Sequence, residues 1–180
     1  GKWLKGFDLV MKEKKDKNKK AEKVEKTNVM RLLDSAGISY GVKSYEVDEN
    51  DLSGIHVADQ LGQDVETVFK TLVLKGEKTG YLVCCIPVAE ELDLKKVAKV
   101  AKDKKVEMIH VKDLLPLTGY IRGGCSPVGM KKKFPTYIEE TAQLFDEIAV
   151  SAGQRGLQVL VNPEELRAYT EAEFVSLVQD

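Results

Sequence analysis

Apolar residues recur alternately at helical and at strand spacing from Thr27 to the C-terminus. Thr27 can cap a first helix, which carries Val29 and Leu33 on one face and ends at Gly37. Further segments predict strands, and they cover residues 40–47, 70–74, 81–87, 106–109, 133–138, 147–151 and 157–161. Shorter helical patterns cover residues 55–61 and 111–115 and begin again at Pro163 and Glu171.

The most regular helix follows Asp93, which can cap a segment that reaches about Lys102. Its apolar positions fall at i, i+3, i+4 and i+7, namely Leu94, Val97, Ala98 and Ala101. A basic stripe adjoins them, formed by Lys95, Lys99 and Lys102. Such a stripe usually keeps a helix solvated, and contact with nucleic-acid phosphates is its second interpretation.

Glycine-rich turns at residues 76–80 and 152–156 predict two hairpins. Because hairpins outnumber candidate parallel crossovers, we expect an α+β domain with a mixed, mainly antiparallel sheet. At 180 residues, of which 43% are hydrophobic, the chain suits one such domain with a sizeable core.

The first 26 residues differ from the rest in charge. They hold ten lysines against five acidic residues, which leaves 18 basic against 24 acidic residues from residue 27 onward. We therefore expect a basic, flexible leader over residues 1–26 and one folded domain over residues 27–180. Residues 1–10 look unrelated to the lysine-rich segment behind them, which makes Met11 a candidate natural start. Cys84, Cys85 and Cys125 without a secretory signal predict a cytoplasmic protein that lacks disulfides and a membrane span.

The first candidate site residue is Lys70, at the start of the apolar segment 68–74. Alternation along a strand places it on the face of Leu72 and Leu74, which directs its amine toward apolar surroundings. Such a lysine could act as a proton acceptor or as a fixed hydrogen-bond donor. The alternative is a strand-end lysine whose amine extends back to solvent.

The second candidate is the glycine-rich loop over residues 119–129, which contains Gly123 and Gly124. Main-chain amides in such a loop can bind a carbonyl oxygen or a developing oxyanion, although many loops of this composition are only turns. Its end resembles a phosphate-binding loop but lacks the required lysine, and Pro127 removes one amide.

Other chemistries have little support. His56 and His110 have no nearby partners that would complete a metal site. Cys125 lies in the glycine-rich loop, yet nothing local would hold it as a thiolate.

Several ordered segments resemble the YbaK/EbsC family of aminoacyl-tRNA deacylases, which is similar to the editing domain of bacterial prolyl-tRNA synthetases. They are Val-Phe-Lys-Thr-Leu at 68–72, Leu-Asp-Leu-Lys-Lys-Val-Ala-Lys at 92–99, Gly-Gly-Cys-Ser-Pro at 123–127 and Ser-Ala-Gly-Gln-Arg-Gly-Leu at 151–157. The resemblance runs from about Thr27 to the C-terminus. It implies one α+β domain whose sheet is mixed, or partly closed into a barrel, with flanking helices.

The resemblance also implies a function, namely trans-editing that removes mischarged cysteine from proline tRNA without a metal or cofactor. In the YbaK-type scheme the thiol of the cysteine substrate attacks its own ester. The alternatives are a deacylase for alanine or another small amino acid, and a non-catalytic module that binds tRNA or a synthetase. Prolyl-tRNA synthetase is the partner that the family implies, and neither a membrane nor a metal is expected.

Site residues follow from the matched motifs. We expect catalytic roles for Lys70, Gly123 and Gly124, whose amides would orient the ester carbonyl. We expect substrate contacts from Tyr45, Thr71, Ser126, Pro127, Ser151 and Gln158. Gln158 stands where relatives often have aspartate, so it bears on the preferred amino acid. Phosphate contacts would come from Lys95, Lys99 and Lys102.

Overall fold

A computed structural model describes residues 25–48 and 50–180. The predicted leader lies outside these residues except for its last two positions. Five α-helices lie in the described part: α1 Asn28–Ser35, α2 Gly54–Leu61, α3 Leu94–Ala101, α4 Val111–Thr118 and α5 Pro163–Thr170. Eight strands accompany them: β1 Tyr40–Ser44, β2 Phe69–Gly76, β3 Gly80–Pro87, β4 Val106–Met108, β5 Thr136–Glu139, β6 Ile148–Ser151, β7 Leu157–Val161 and β8 Glu173–Val175. Short 3₁₀ turns cover Val65–Thr67 and Glu140–Leu144.

The strands form two sheets. A five-stranded sheet has the order β4-β2-β3-β5-β8, and a three-stranded sheet has the order β1-β7-β6. Four of the six strand pairs are antiparallel, and the parallel pairs are β3 with β5 and β5 with β8. The prediction of a mixed, mainly antiparallel α+β fold is therefore confirmed, and the suggested closure into a barrel is wrong because both sheets keep open edges.

The β2–β3 hairpin organises the larger sheet. Its register runs from Phe69 opposite Pro87 to Gly76 opposite Gly80. Asp103 secures the turn, because one of its carboxylate oxygens accepts hydrogen bonds from the main-chain amides of Lys78 and Thr79 at 3.0 and 2.8 Å and from the Thr79 hydroxyl at 2.7 Å. Strand β4 pairs with β2 only over Leu74–Gly76, so the first half of β2 has no strand on that edge.

Two clusters of buried side chains lie on opposite faces of the larger sheet. One face holds Leu74, Leu82 and Cys84 against Val97 of α3. The other cluster includes Val73, Cys85 and Val159 and joins the larger sheet to the three-stranded one. The two sheets meet directly at a parallel bridge between Val68 and Ala149.

The caps agree with the sequence. Thr27 accepts the amide of Met30 at the start of α1, and Asp93 accepts the amides of Lys95 and Lys96 at the start of α3. The helical turn predicted from Glu171 is wrong, since Glu171 is the left-handed cap that ends α5 and β8 follows it. Within residues 25–48 and 50–180, no helix combines the length and apolarity needed to cross a bilayer.

Candidate active site

A cavity of about 410 Å³ lies along the first half of β2. Consecutive residues Phe69, Lys70, Thr71, Leu72 and Val73 all line it. Side chains of a strand point alternately to its two faces, so five consecutive residues can contact one cavity only if it runs along the strand edge. The cavity therefore occupies the edge of β2 that β4 leaves uncovered.

Predicted site residues from distant parts of the chain line this cavity. Besides Lys70 and Thr71 on β2, they are Tyr45, Gly123, Ser151 and Gln158. Strand pairing accounts for two of them, because Ser151 of β6 stands directly opposite Gln158 of β7. The glycine-rich loop supplies Gly123, so the two predicted halves of the site share one cavity.

Lys70 is half-buried rather than enclosed by the core. The side chain is therefore not enclosed by the apolar surroundings that the alternation predicted, because β4 stops short of this end of β2 and leaves Lys70 at the rim of an open cavity. In the described part of the chain, Lys70 forms no salt bridge. Its ammonium group is thus available to a ligand.

The two glycines of the loop have different structural tasks. Gly123 has φ +86°, which residues with a side chain rarely adopt, and it lines the cavity. Gly124 packs against the 152–156 turn, where an added Cβ would lie 3.0 Å from the Cα of Gln154. The Gly124 amide donates to the Ile121 carbonyl at 2.9 Å. The prediction of two free amides is therefore wrong for Gly124, since its donor closes a turn.

Ser126 and Pro127 do not line the cavity. Both are buried behind the loop, and the Ser126 hydroxyl accepts the amide of Val128 at 3.3 Å. Their predicted contact with substrate has no support in this geometry, because their neighbours are protein groups. The lysine stripe is also separate, since Lys95, Lys99 and Lys102 are exposed on or beside α3 and none of them lines the cavity.

Gln158 presents an unpaired polar atom. The residue is 6% exposed, and its Oε1 has no hydrogen-bond partner among the described residues. An unpaired buried amide oxygen costs stability unless a ligand satisfies it. Ser151, directly opposite, is 7% exposed, and its hydroxyl accepts the Gly153 amide at 3.1 Å.

Sequence reasoning missed Arg122 and the apolar residues contributed by the end of β4 and the segment after it. Arg122 lines the cavity, and its carbonyl accepts the Nε of Arg155 at 2.8 Å, which ties the glycine-rich loop to the 152–156 turn. Its position directly before Gly123 was the available signal. Met108 and Ile109 also line the cavity, and no local pattern relates them to Lys70.

The charged side chains that line the cavity are all basic. Lys70 and Arg122 are the cations that line it, and among the described residues no Asp or Glu lines the cavity. The part of the chain from residue 27 onward carries more acidic than basic residues, so this arrangement is local. A cavity with such a lining favours an anionic or strongly polar ligand.

Cys125 lines the cavity as well but lacks the properties of a nucleophile. It is 8% exposed, and burial raises the pKa of its thiol to about 12. A thiol with this pKa stays protonated near neutral pH and is a poor nucleophile. Among the described residues, no three His, Cys, Asp or Glu side chains come together as a metal site.

Comparison with known proteins gives consistent matches. The model of the family described as aminoacyl-tRNA editing domain matches residues 53–169. A protein of Enterococcus faecalis, EbsC, whose name describes a proposed Cys-tRNA(Pro)/Cys-tRNA(Cys) deacylase, is 49% identical over 153 residues. That match covers 85% of this chain and 93% of EbsC.

Two further matches cover different extents. A proline–tRNA ligase of Fervidobacterium nodosum is 35% identical over 75 residues, which are 42% of this chain and 13% of the ligase. The crystal structure of a proposed trans-editing enzyme for prolyl-tRNA synthetase superposes with a TM-score of 0.73 at 24% identity. It covers 84% of this chain and 95% of that chain, and at this identity it supports the fold alone.

Proposed function

The chain belongs to the aminoacyl-tRNA editing domain family, and from this premise we propose that it is a trans-editing deacylase that removes cysteine from mischarged proline tRNA. The family resemblance read from the sequence is thereby confirmed. Its substrate would be an aminoacyl-tRNA, and the bond to be broken is the ester between the amino acid and the terminal ribose.

The observation that carries this proposal is the composition of the cavity along β2. Among the described residues, the lining holds Lys70 and Arg122 and no carboxylate, which suits the polyanionic 3′ end of a tRNA. A volume of about 410 Å³ is in the range of small-ligand sites and accommodates an amino acid with its ribose. The aminoacyl ester would enter past these cations.

The ester carbonyl needs a donor where negative charge develops. The Lys70 ammonium group and the Gly123 amide belong to residues that line the same cavity. Within the described residues, neither group donates a recorded hydrogen bond. In this proposal the Gly123 amide orients the ester carbonyl, and Lys70 contacts that carbonyl or the terminal ribose. Fixed donors of this kind stabilise an oxyanion in the transition state.

The protein does not need to supply the nucleophile. In the proposed step, the sulfur of the cysteinyl group bonds to its own carbonyl carbon and the ester C–O bond breaks. The thiol proton ends on the released ribose oxygen, so a cyclic thioester of cysteine and free tRNA result. The high pKa of Cys125, about 12, agrees with this assignment, because that thiol does not compete as a nucleophile.

Selection of the amino acid would depend on Gln158 and Ser151. The two residues stand directly opposite each other across the β6–β7 pair, and Gln158 leaves an acceptor oxygen unsatisfied. A cysteinyl thiol or ammonium group can donate to that oxygen. An aspartate at this position would add a charge, so the amide changes what the pocket pairs with.

Recognition of the tRNA body is a separate question. Lys95, Lys99 and Lys102 lie outside the cavity and are exposed on or beside α3, where they could contact phosphates of the acceptor arm. Such contacts carry no sequence information. We therefore propose that prolyl-tRNA synthetase supplies selectivity for proline tRNA, and that both proteins act in the cytoplasm.

A panel of charged tRNAs tests the proposed function. The purified protein is mixed with proline tRNA carrying cysteine, alanine or proline, and with cysteine tRNA carrying cysteine, and release of each amino acid is followed. We expect rapid release of cysteine from proline tRNA and no release of proline. Release of alanine alone would assign the alternative deacylase activity, and binding without release would assign a non-catalytic module.

The same panel tests the partner. Adding prolyl-tRNA synthetase should increase the ratio of the rates on Cys-tRNA(Pro) and Cys-tRNA(Cys). An unchanged ratio would remove the synthetase from the selectivity mechanism.

A further inference from the structure

The free edge of β2 exposes main-chain groups as well as side chains. In the β2–β3 pair, the even-numbered residues direct their main-chain groups toward β3, as shown by the Val88 amide, which donates to the Val68 carbonyl at 2.9 Å. Hydrogen-bonding direction alternates along a strand, so the odd-numbered residues direct theirs to the opposite edge. Two contacts there agree: the Ile109 amide donates to the Val73 carbonyl, and the Glu77 amide donates to the Lys105 carbonyl.

Thr71 is the odd-numbered residue that remains uncovered in the middle of this edge. Strand β4 pairs with β2 only from Leu74 onward, and Ile109 occupies the carbonyl of Val73. Toward the other end, the bridge from Val68 to Ala149 joins the start of β2 to β6. In the described part of the chain, no main-chain or side-chain group is recorded as a partner for the Thr71 N–H or C=O on this side.

The Thr71 side chain has a different neighbour. Its Oγ1 lies 3.8 Å from the Sγ of Cys85, the residue directly opposite on β3. Cys85 is fully buried, and its thiol pKa is raised to about 12 by burial, so it stays a neutral partner. The hydroxyl therefore has a partner within the protein, whereas the main chain of the same residue faces the cavity.

We propose that the main-chain N–H and C=O of Thr71 bind the aminoacyl group as a paired strand residue would. Directly opposite residues of an antiparallel hydrogen-bonded pair exchange two hydrogen bonds, one from each N–H to the other C=O. An aminoacyl ester contains the same N–Cα–C=O unit. Its ammonium group donates to the Thr71 carbonyl, and its ester carbonyl accepts the Thr71 amide.

This inference rests on the proposed function. It adds a contact to the N–Cα–C=O unit, the part of the substrate that all amino acids share. Addition of a strand-like ligand to a free sheet edge uses main-chain bonds for affinity and leaves side-chain pockets to give specificity. Gln158 and Ser151 would then discriminate between side chains, while Thr71 holds the reacting unit in place. The Thr71 amide would join the Gly123 amide as a second donor to the ester carbonyl. It would take the role that the sequence predicted for the Gly124 amide.

The test replaces the amide of Thr71 by an ester. Incorporation of the α-hydroxy analogue of threonine at position 71 removes the N–H and keeps the side chain. The same replacement at Thr79 is the control, because it removes an amide that donates to Asp103 and does not line the cavity. On Cys-tRNA(Pro), the ester at position 71 should lower kcat/KM about tenfold or more, the loss expected for one hydrogen bond to a developing charge, and the ester at position 79 should stay within about threefold of the unmodified protein. Equal rates for the ester and the unmodified protein would overturn the inference.

A second measurement does not depend on the folding of the modified protein. The probe is cysteinyl adenosine with a 3′ amide in place of the ester, added to ¹⁵N-labelled full-length protein. Hydrogen exchange of the Thr71 amide should slow about tenfold or more at saturation, whereas the Lys70 amide, already directed to β3, should change little. If the probe saturates and Thr71 exchange is unchanged, the inference fails while the proposed function stands. If unmodified protein releases no amino acid in the tRNA panel, the proposed function fails, and the inference fails with it.

Discussion

The two halves of β2 differ in how completely their polar groups are paired. From Leu74 to Gly76 the strand has β3 on one edge and β4 on the other, and Asp103 accepts the donors of the turn that follows. From Phe69 to Val73 one edge faces the cavity. One half of the strand therefore contributes to stability, and the other half keeps polar groups available to a ligand.

This difference extends to the side chains beside each half. Lys75, in the paired half, lies 5.3 Å from the centroid of the Tyr81 ring. Lys70, in the open half, has no recorded salt bridge in the described part of the chain, and the nearby Gln158 has an unsatisfied oxygen. Changes in the open half should therefore affect activity more than stability, and changes in the paired half should do the reverse.

The largest expected effect is that of Lys70→Ala. We expect the rate of cysteine release from proline tRNA to fall about 100-fold or more, because a positioned cation near the developing oxyanion is lost. The melting temperature should change little, since the side chain is half-buried at the rim of a cavity. Single-turnover deacylation and thermal unfolding measure the two quantities.

Lys75→Ala is the matched control on the same strand. It removes an exposed lysine of the paired half and should leave the rate within about threefold of the unmodified protein. Equal losses of rate in both variants would remove the special role of Lys70, because they would indicate only a general effect of charge.

The second-largest expected effect is that of Gln158→Leu, which should change activity and stability in opposite directions. Gln158→Leu removes a buried oxygen without a partner while keeping a similar volume. We expect the protein to become more stable by about 1 kcal/mol and the deacylation rate to fall about tenfold. Denaturant unfolding and the tRNA panel report the two changes.

Gln63→Leu gives a matched control, since Gln63 also has a buried Oε1 without a recorded partner but does not line the cavity. It should stabilise the protein without loss of rate. A loss of stability in Gln158→Leu would show that the oxygen has a partner in the free protein, and it would contradict the interpretation of an acceptor kept open for substrate.

The sequence predicted best the regions whose residues depend on near neighbours. The helix after Asp93 and the β2–β3 hairpin follow from caps, turns and apolar spacing within about twenty residues, and both were confirmed. The segment after Glu171 was misassigned because β8 exists through pairing with the distant strand β5. The same kind of reason explains the error on Lys70, whose exposure depends on how far β4 extends along β2.

The candidate site divides in the same way. Lys70 and Gly123 belong to motifs that stand out locally, and the structure brings them into one cavity. The pairing of the Gly124 amide within its own turn and the burial of Ser126 depend on how the loop folds back, which composition does not reveal. Arg122 was missed because a single arginine beside glycines is an ordinary loop residue.

Asp103 secures the turn that follows the paired half of β2. Asp103→Asn should lower the melting temperature at pH 7 and leave the activity of the folded protein unchanged. Hydrogen bonds from Thr79 and from the neighbouring main-chain amides hold the pKa of Asp103 well below its usual range. A depressed pKa in the folded state adds stability above the pKa of the unfolded chain, about 4, and this stability is lost as the pH falls toward the folded value.

The difference in melting temperature between the two proteins should therefore shrink as the pH falls from about 5 to 2. Glu77→Gln, an exposed acid in the same turn, has no recorded side-chain hydrogen bond in the described chain and should show no such trend. A constant difference across this pH range would show that the ionised carboxylate is not what secures the turn.

The smallest expected effect is that of Cys125→Ala, although this residue lines the cavity and carries the most nucleophilic type of side chain there. With a thiol pKa of about 12, almost no thiolate exists between pH 6 and pH 9, so a mechanism that used Cys125 would accelerate roughly tenfold with each pH unit. In our proposal the attacking sulfur belongs to the substrate, so the variant should keep its rate within about threefold and give a pH profile of unchanged shape. Its rate on Cys-tRNA(Pro) and that of the unmodified protein, measured across this pH range, separate the two mechanisms. A loss of about 100-fold or more in a variant that melts normally would assign the nucleophile to the protein, and the open half of β2 would then hold a reacting group as well as binding groups.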